Sequence, residues 1–169
     1  MSAAARLRPA TQDDVPLITQ LIQELAEYEK LAHTCVADDT SVRENLFGDR
    51  PAAEVVLAFI GDEPAGFALY YENYSTHLSR RGMHLEDLYV REHLRGKGIG
   101  KLLLSHLASV AVERGYGRME WAVLRWNESA IKVYDAIGAE YLSGWLTYRL
   151  SGDGLKQVAQ GKAGTIPGA

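Results

Sequence analysis

Glycines alternate with charged and apolar residues in the run Arg95-Gly96-Lys97-Gly98-Ile99-Gly100-Lys101. Without side chains, the main chain of such a run can approach a ligand closely and turn its N–H groups toward one centre. A helix that starts there adds N–H groups lacking intrahelical partners and the positive end of its dipole. With Arg95, Lys97 and Lys101 around it, the chemistry on offer is anion binding, phosphate above all. Spacing separates the run from two common phosphate sites. A dinucleotide fingerprint requires G-x-G-x-x-G, whereas here the third glycine comes one residue early and Lys101 takes its place. The Gly161-Lys162 pair fails as a P-loop, because residue 156 is lysine and Ala163 replaces the required hydroxyl residue.

Acidic residues just upstream offer a second kind of chemistry. Glu86 and Asp87 lie in a run, Met83 to Val90, that alternates apolar and polar residues and reads as a strand leading into the glycines. In a regular strand the two carboxylates point to opposite faces, and only a bulge changes that. His33, His77, His84, His93 and His106 show no paired spacing on one helix, so no metal site is expected. Cys35, the sole cysteine, has no partner for an internal disulfide and no base beside it, and reads as inert.

The elements that must position these groups follow from periodicity. Residues 6–9 read as a strand. Thr11 with Asp14 forms a capping signature ahead of a helix carrying Val15, Ile18, Leu21, Ile22, Leu25 and Tyr28, and Ser41 with Glu44 does the same for a short helix over residues 41–47. The β-rich runs 53–60 and 65–74, joined by Gly-Asp-Glu-Pro, form a hairpin. After the glycines, Ile99, Leu102, Leu103, Leu107, Val110 and Ala111 trace a helix ending at Gly115. Strand 118–124, helix 128–137 and strands 139–142 and 145–150 complete the order β-α-α-β-β-β-α-β-α-β-β. This predicts an α/β (α+β) fold, a mixed sheet of about seven strands with helices on both faces and a parallel pair at its centre. A single domain over residues 1–150 and a flexible, glycine-rich tail over 151–169 are expected.

Composition narrows the function classes. The chain has 169 residues, 47% hydrophobic and 24% charged, with a formal net charge of -4. No basic face large enough for a nucleic-acid backbone is advertised, and the acidic balance suits a cationic small substrate. No apolar run reaches the length of a membrane span, and the start lacks the apolar stretch of a secretion signal. A cytoplasmic location without membrane or nucleic-acid partners is expected.

Arg95, Gly98 and Gly100 resemble the pyrophosphate loop of the GCN5-related N-acetyltransferase (GNAT) superfamily, whose pattern is Arg or Gln, two residues, Gly, one residue, then Gly or Ala. The order of elements over residues 6–150 is similar to that fold. Within it, "RPAT", "LIQELAEYEK", "GFALYY", "LEDLYV", "RGKGIG" and "WNESAIKVYDAIGA" together resemble the spermidine/spermine and thialysine acetyltransferase branch. The resemblance implies acetyl-CoA as cosubstrate, no metal, and direct transfer in a ternary complex to a primary amine of a diamine, polyamine or lysine-like amino acid. It implies Tyr134 as the acid that protonates the coenzyme A thiolate, and Glu86 as the group that binds the amine and helps remove its proton. Backbone groups of Leu88, Tyr89 and Val90 would hold the pantetheine arm, residues Arg95, Gly96, Lys97, Gly98, Ile99, Gly100 and Lys101 the pyrophosphate, and Asn127 a further part of the coenzyme. Tyr28, Glu29, Glu120, Trp121 and Ala122 would line the amine's path, and the protein would be a homodimer. One departure bears on substrate choice. Where the polyamine enzymes keep an acid in the loop after Tyr71, this chain has Arg80 and Arg81, which would favour a shorter amine or one bearing its own carboxylate. Protein amines as acceptors, and a non-catalytic acetyl-CoA-binding module, stay open as alternatives.

Overall fold

Alternation along two long strands builds the centre of the structure, a computed structural model that describes residues 4–162. Strands β1 (Ala5–Pro9), β2 (Glu54–Ile60), β3 (Glu63–Ser75), β4 (Arg80–Val90) and β5 (Met119–Glu120) lie side by side in sequence order. The pairs β1–β2, β2–β3 and β3–β4 are antiparallel, and β4–β5 is parallel. Val55, Leu57, Phe59, Phe67, Leu69 and Tyr89 turn one face of the sheet toward α1 (Val15–Tyr28), whose Val15, Ile18, Leu21 and Leu25 are buried at helical spacing. The alternate residues of β2 and β3 serve the opposite face, where α3 (Ile99–Glu113) buries Ile99, Leu103, Leu104 and Leu107.

Local chemistry sets the element boundaries. Asp14 accepts from the Thr11 backbone at 2.7 Å and from both terminal nitrogens of Arg8 at 2.7 and 2.8 Å, tying β1 to the start of α1. Helix α2 spans Asp39–Phe47 rather than starting at Ser41, because Asp38 is its cap: the Asp38 carboxylate accepts from the Ser41 backbone at 2.7 Å. Gly66 is required by close approach, since a Cβ there would stand 2.2 Å from the Tyr89 carbonyl oxygen. Backbones of β3 and β4 are thereby held tightly just where β4 runs toward the glycine loop.

The expected sheet of about seven strands is corrected to five among the described residues. Residues 139–142 and 145–150 alternate as strands do, but they form no ladder; alternation supplies propensity, whereas a strand exists only when a partner takes its N–H and C=O groups. The expected strand 118–124 shortens to Met119–Glu120, and β4 begins at Arg80 rather than Met83. Contacts divide the chain into one unit up to Val133 and a second from Tyr134 onward, with α4 (Glu128–Ala136) crossing the division. In the second unit, α4 ends at Gly138 with φ of 80°, and α5 (Gly152–Ala159) occupies part of the segment expected as a flexible tail. The rest of that segment, 163–169, lies outside the described residues.

Candidate active site

The cradle is held at both ends. Upstream, Arg91 donates to Glu24 of α1 at 3.0 and 2.8 Å and to the Pro64 carbonyl at 3.0 Å. A short 3-10 turn (Glu92–Leu94) follows, anchored by buried Leu94, and buried Ile99 anchors the downstream end. Between them Gly98 adopts φ of 78°, a left-handed conformation that side chains resist, and a Cβ built there meets nothing within 4 Å. Gly98 is also the N-cap of α3 and supplies no side-chain cap, so the first N–H groups of that helix face the loop. Open space, capless amides and the cations of Lys97 and Lys101 fit a phosphate group. Arg95 is partly committed elsewhere: its Nε donates to the Val90 carbonyl at 2.9 Å, and its guanidinium lies 4.3 Å from the Tyr28 ring centre. Gly100 is less demanding, since a Cβ would reach only ordinary contact with Val90 at 3.9 Å.

Upstream on the same strand, β4 carries one residue too many for its partner. Ladder pairs run Phe67–Tyr89, Ala68–Leu88, Leu69–Asp87 and then Tyr70–Leu85, leaving Glu86 unmatched. Such a bulge bends the strand and resets which face the following side chains take. Asp87, paired with Leu69, therefore shares the α1 face with Tyr89, and His84, paired with Tyr71, lies on that face as well. Glu86 joins them: its Oε2 is 3.4 Å from His84 Nε2, and it opposes ionisation of the Tyr71 phenol, which burial already pushes up. Burial, and then the charges of Glu86 and of Glu29 at the end of α1, push the Asp87 carboxyl up to about 7. Burial raises Glu29 too. Carboxylates gathered in this way, Asp87 and Glu29 partly desolvated and Glu86 open to water, favour a proton or an organic cation among them.

Pairing between β4 and β5 ends at His84–Glu120, two residues short of Glu86. Beyond it, Leu88, Tyr89 and Val90 pair with β3 on one side only, leaving the other backbone edge open to an extended ligand arm. Tyr28 links the two halves of the site. Its hydroxyl donates to Asn127 Oδ1 at 3.3 Å, and its ring meets Tyr89 at 6.4 Å and Trp126 at 5.6 Å. Asn127 Oδ1 also accepts from Ser129 and from the Ala130 backbone, so it caps α4 as well.

The structure thus brings together Tyr28, Tyr89, Arg95 and Asn127 around the cradle, and Glu29 and Glu86 at the acidic cluster. Glu120 is bound to Arg118 at 3.1 Å, and Trp121 and Ala122 follow the last paired residue of β5. Tyr134 lies on α4, where its backbone carbonyl accepts from Ala139 at 3.0 Å. The expectation for Arg80 and Arg81 is corrected. Arg81 is ion-paired with Glu72, which also accepts from the Tyr116 hydroxyl, on the face opposite the acidic cluster. Arg80 lies six residues from Glu86 along β4, about 20 Å at strand rise, beyond the reach of a lysine-sized molecule. His84, Tyr71 and Trp126 were not legible as site residues; only the adjacent acids in "LEDLY" hinted at the bulge that gathers Asp87.

A model of the acetyltransferase (GNAT) family matches residues 18–139. The thialysine N-epsilon-acetyltransferase of Mus musculus is 36% identical, over 93% of this chain and 98% of that protein. An L-ornithine N5-acetyltransferase of Arabidopsis thaliana is 34% identical, over 91% of this chain and 87% of that protein. Among solved structures, an integron cassette protein from the mobile metagenome of V. cholerae superimposes with a TM-score of 0.78 at 26% identity, covering 92% of this chain and 98% of that one.

A titration of stability checks the acidic cluster. With its folded-state carboxyl at about 7 against an ordinary 3.8, Asp87 keeps its proton in the folded protein after the unfolded chain has lost it. Stability therefore falls as pH rises between those values and stays reduced above them. Asp87→Asn should remove this slope and leave the protein more stable than wild type at pH ~8, read by urea unfolding from pH ~4 to ~8. An unchanged slope would place Asp87 in water-like surroundings.

Proposed function

Because the chain belongs to the GNAT acetyltransferase family, we propose that it transfers the acetyl group of acetyl-CoA directly to a primary amine of a small molecule, a diamine, polyamine or lysine-like amino acid, in a ternary complex. The observation that carries the acceptor is the carboxylate cluster of Glu86 and Asp87, on the strand that runs into the cradle, with Glu29 at the end of α1. An alkylammonium suits that cluster by charge, and its arrival replaces the proton that Asp87 holds near neutrality. The relatives that act on thialysine and ornithine support an acceptor with a side-chain amine.

Acetyl-CoA supplies an activated acyl thioester. On this reading the backbone of Gly96, Lys97, Gly98, Ile99, Gly100 and Lys101 binds its pyrophosphate, with Arg95 alongside. The open edge of Leu88, Tyr89 and Val90 holds the pantetheine, and Asn127 contributes a further contact. Glu86 takes the amine's proton, Tyr28, Glu29, Glu120, Trp121 and Ala122 shape the amine's path, and Tyr134 donates a proton to the departing sulfur. Aligning two reactants in this way converts a bimolecular encounter into a step within one complex. The reading includes a cytoplasmic homodimer. Exposed Tyr141, Trp145, Leu146 and Tyr148 support association, and among the described residues no helix is long and apolar enough to cross a membrane.

A panel of amines assayed with acetyl-CoA by thiol release tests the reading directly: turnover with at least one small alkylamine is expected, and none with any of them would remove the acceptor assignment. For the cradle, Gly98→Asp should abolish acetyl-CoA binding in calorimetry, because a side chain and a negative charge both enter the space meant for pyrophosphate. Unchanged affinity in a folded variant would refute the phosphate assignment. Tyr134→Phe keeps the ring and deletes the donor, so kcat should fall by roughly 10- to 10⁴-fold with coenzyme affinity little altered. Wild-type turnover in a reaction whose chemical step limits the rate would make Tyr134 a packing residue.

A further inference from the structure

His84 is the last residue of β4 that pairs with β5, two positions before the unmatched Glu86, and the imidazole is placed to act on Glu86. Its Nε2 lies 3.4 Å from Glu86 Oε2, a separation typical of catalytic pairs that tighten when substrate arrives. The ring packs against Tyr71 of β3, with centres 4.9 Å apart and planes 31° from parallel, which fixes its orientation. From β5, its register partner Glu120 is held by Arg118 at 3.1 Å. From the end of α1, Glu29 acts on the same cluster through Asp87. The His84 side chain is 28% exposed, so the ring that meets Glu86 also reaches water.

From this geometry we propose that His84 is a positioning and proton-relay residue for the amine half-site, passing to solvent the proton that Glu86 removes from the substrate ammonium. The inference rests on the amine-acetyltransferase reading above. The balance is as follows. Two protons leave the nitrogen as the C–N bond forms and the C–S bond breaks, one ending on the departing sulfur and one in water. The first passes from the ammonium to Glu86, then to His84 Nε2, which accepts it when Nδ1 carries the ring hydrogen, and from there to water. The second leaves the nitrogen after attack and restores the donor that protonated the sulfur. A histidine suits the relay because its ordinary charge change falls between pH 5 and 8, so it can both accept and release a proton near neutrality. It also gives the acidic side of the reaction a built-in limit, since a protonated imidazole cannot accept and places a cation beside the ammonium's carboxylate.

The test separates His84 from Asp87. The pH dependence of kcat/KM reports the free enzyme, where Asp87 titrates, and that of kcat reports the ternary complex, where the bound ammonium keeps Asp87 ionised. In wild type, kcat should fall on the acid side, where a protonated imidazole can no longer accept. His84→Ala should lower kcat by about 10- to 100-fold with KM changed by less than about threefold, lose that acid limb, and recover activity with added imidazole. His84→Gln keeps the side chain's bulk and polarity. It should match wild type in thermal melting and acetyl-CoA affinity, show the same loss of kcat, and not respond to imidazole. If the acid limb of kcat persists in both variants, or if imidazole fails to restore His84→Ala, the relay is overturned while amine acetylation stands. If wild type acetylates no amine, the acceptor reading falls and the relay with it.

Discussion

One extra residue in β4 governs the site. If β3 and β4 paired without interruption, Glu86 and His84 would take the face opposite Asp87 and Tyr89, and no carboxylate cluster would form. The insertion at Glu86 puts His84 and Glu86 on the same side of the sheet as Asp87 and Tyr89. A bulge also increases local twist, and the β4–β5 ladder stops two residues before it. Separation of that parallel pair exposes the backbone edge of Leu88, Tyr89 and Val90. A single irregularity therefore prepares both halves of the site, the acidic pocket by resetting faces and the coenzyme track by ending a ladder.

Such an arrangement opposes stability and needs rigid surroundings. Gathered, partly desolvated carboxylates repel one another, and Asp87 keeps a proton near neutrality as a result. The opposing contributions come from the sheet and α1. Leu57, Phe67, Ile18 and Leu21 are fully buried against one another, Gly66 locks β3 to β4, and Arg91 clamps α1 to the end of β4 through Glu24. Helix α1 thus serves twice: its apolar stripe stabilises the sheet, and its last turn delivers Tyr28 and Glu29 to the site.

Physical locality explains what could be read in advance. The helical stripe from Val15 to Tyr28, the hairpin, the strand before the glycines and the helix after them are each written in one short window, and all appear in the structure. The glycine turn between strand and helix was legible for the same reason, since the left-handed conformation of Gly96 and Gly98 is a property of their own backbone. Long-range pairing was not legible. Residues 139–150 alternate like strands, yet nothing in their own pattern decides whether an edge will receive them. The bulge depends on register between Leu69 and Asp87, which no periodicity in either strand reports. His84 lacks any motif because its role arises from Tyr71, Glu86 and Glu120, contributed by different strands or by the far side of the bulge. The partner of Arg81 was not legible on similar grounds, because loop charge says nothing about Glu72 on the neighbouring strand.

Charge placement along β4 completes the picture. On the proposed reading, a phosphate-bearing coenzyme and an ammonium require fields of opposite sign, and one strand serves both. Asp87 lies three residues before Val90, about 10 Å at strand rise, and the cradle begins only after a further turn. Distance on this scale weakens the repulsion between the carboxylates and the pyrophosphate and between the lysines and the amine, since the Coulomb energy falls with separation. The thioester must bridge the two regions, and the extended edge of Leu88 to Val90 spans the interval between them. Moving the acidic cluster nearer the glycines would set its field against the coenzyme, and moving it farther would leave the amine short of the acyl carbon. The position of the bulge, between the end of the β4–β5 ladder and the start of the glycine turn, satisfies both limits.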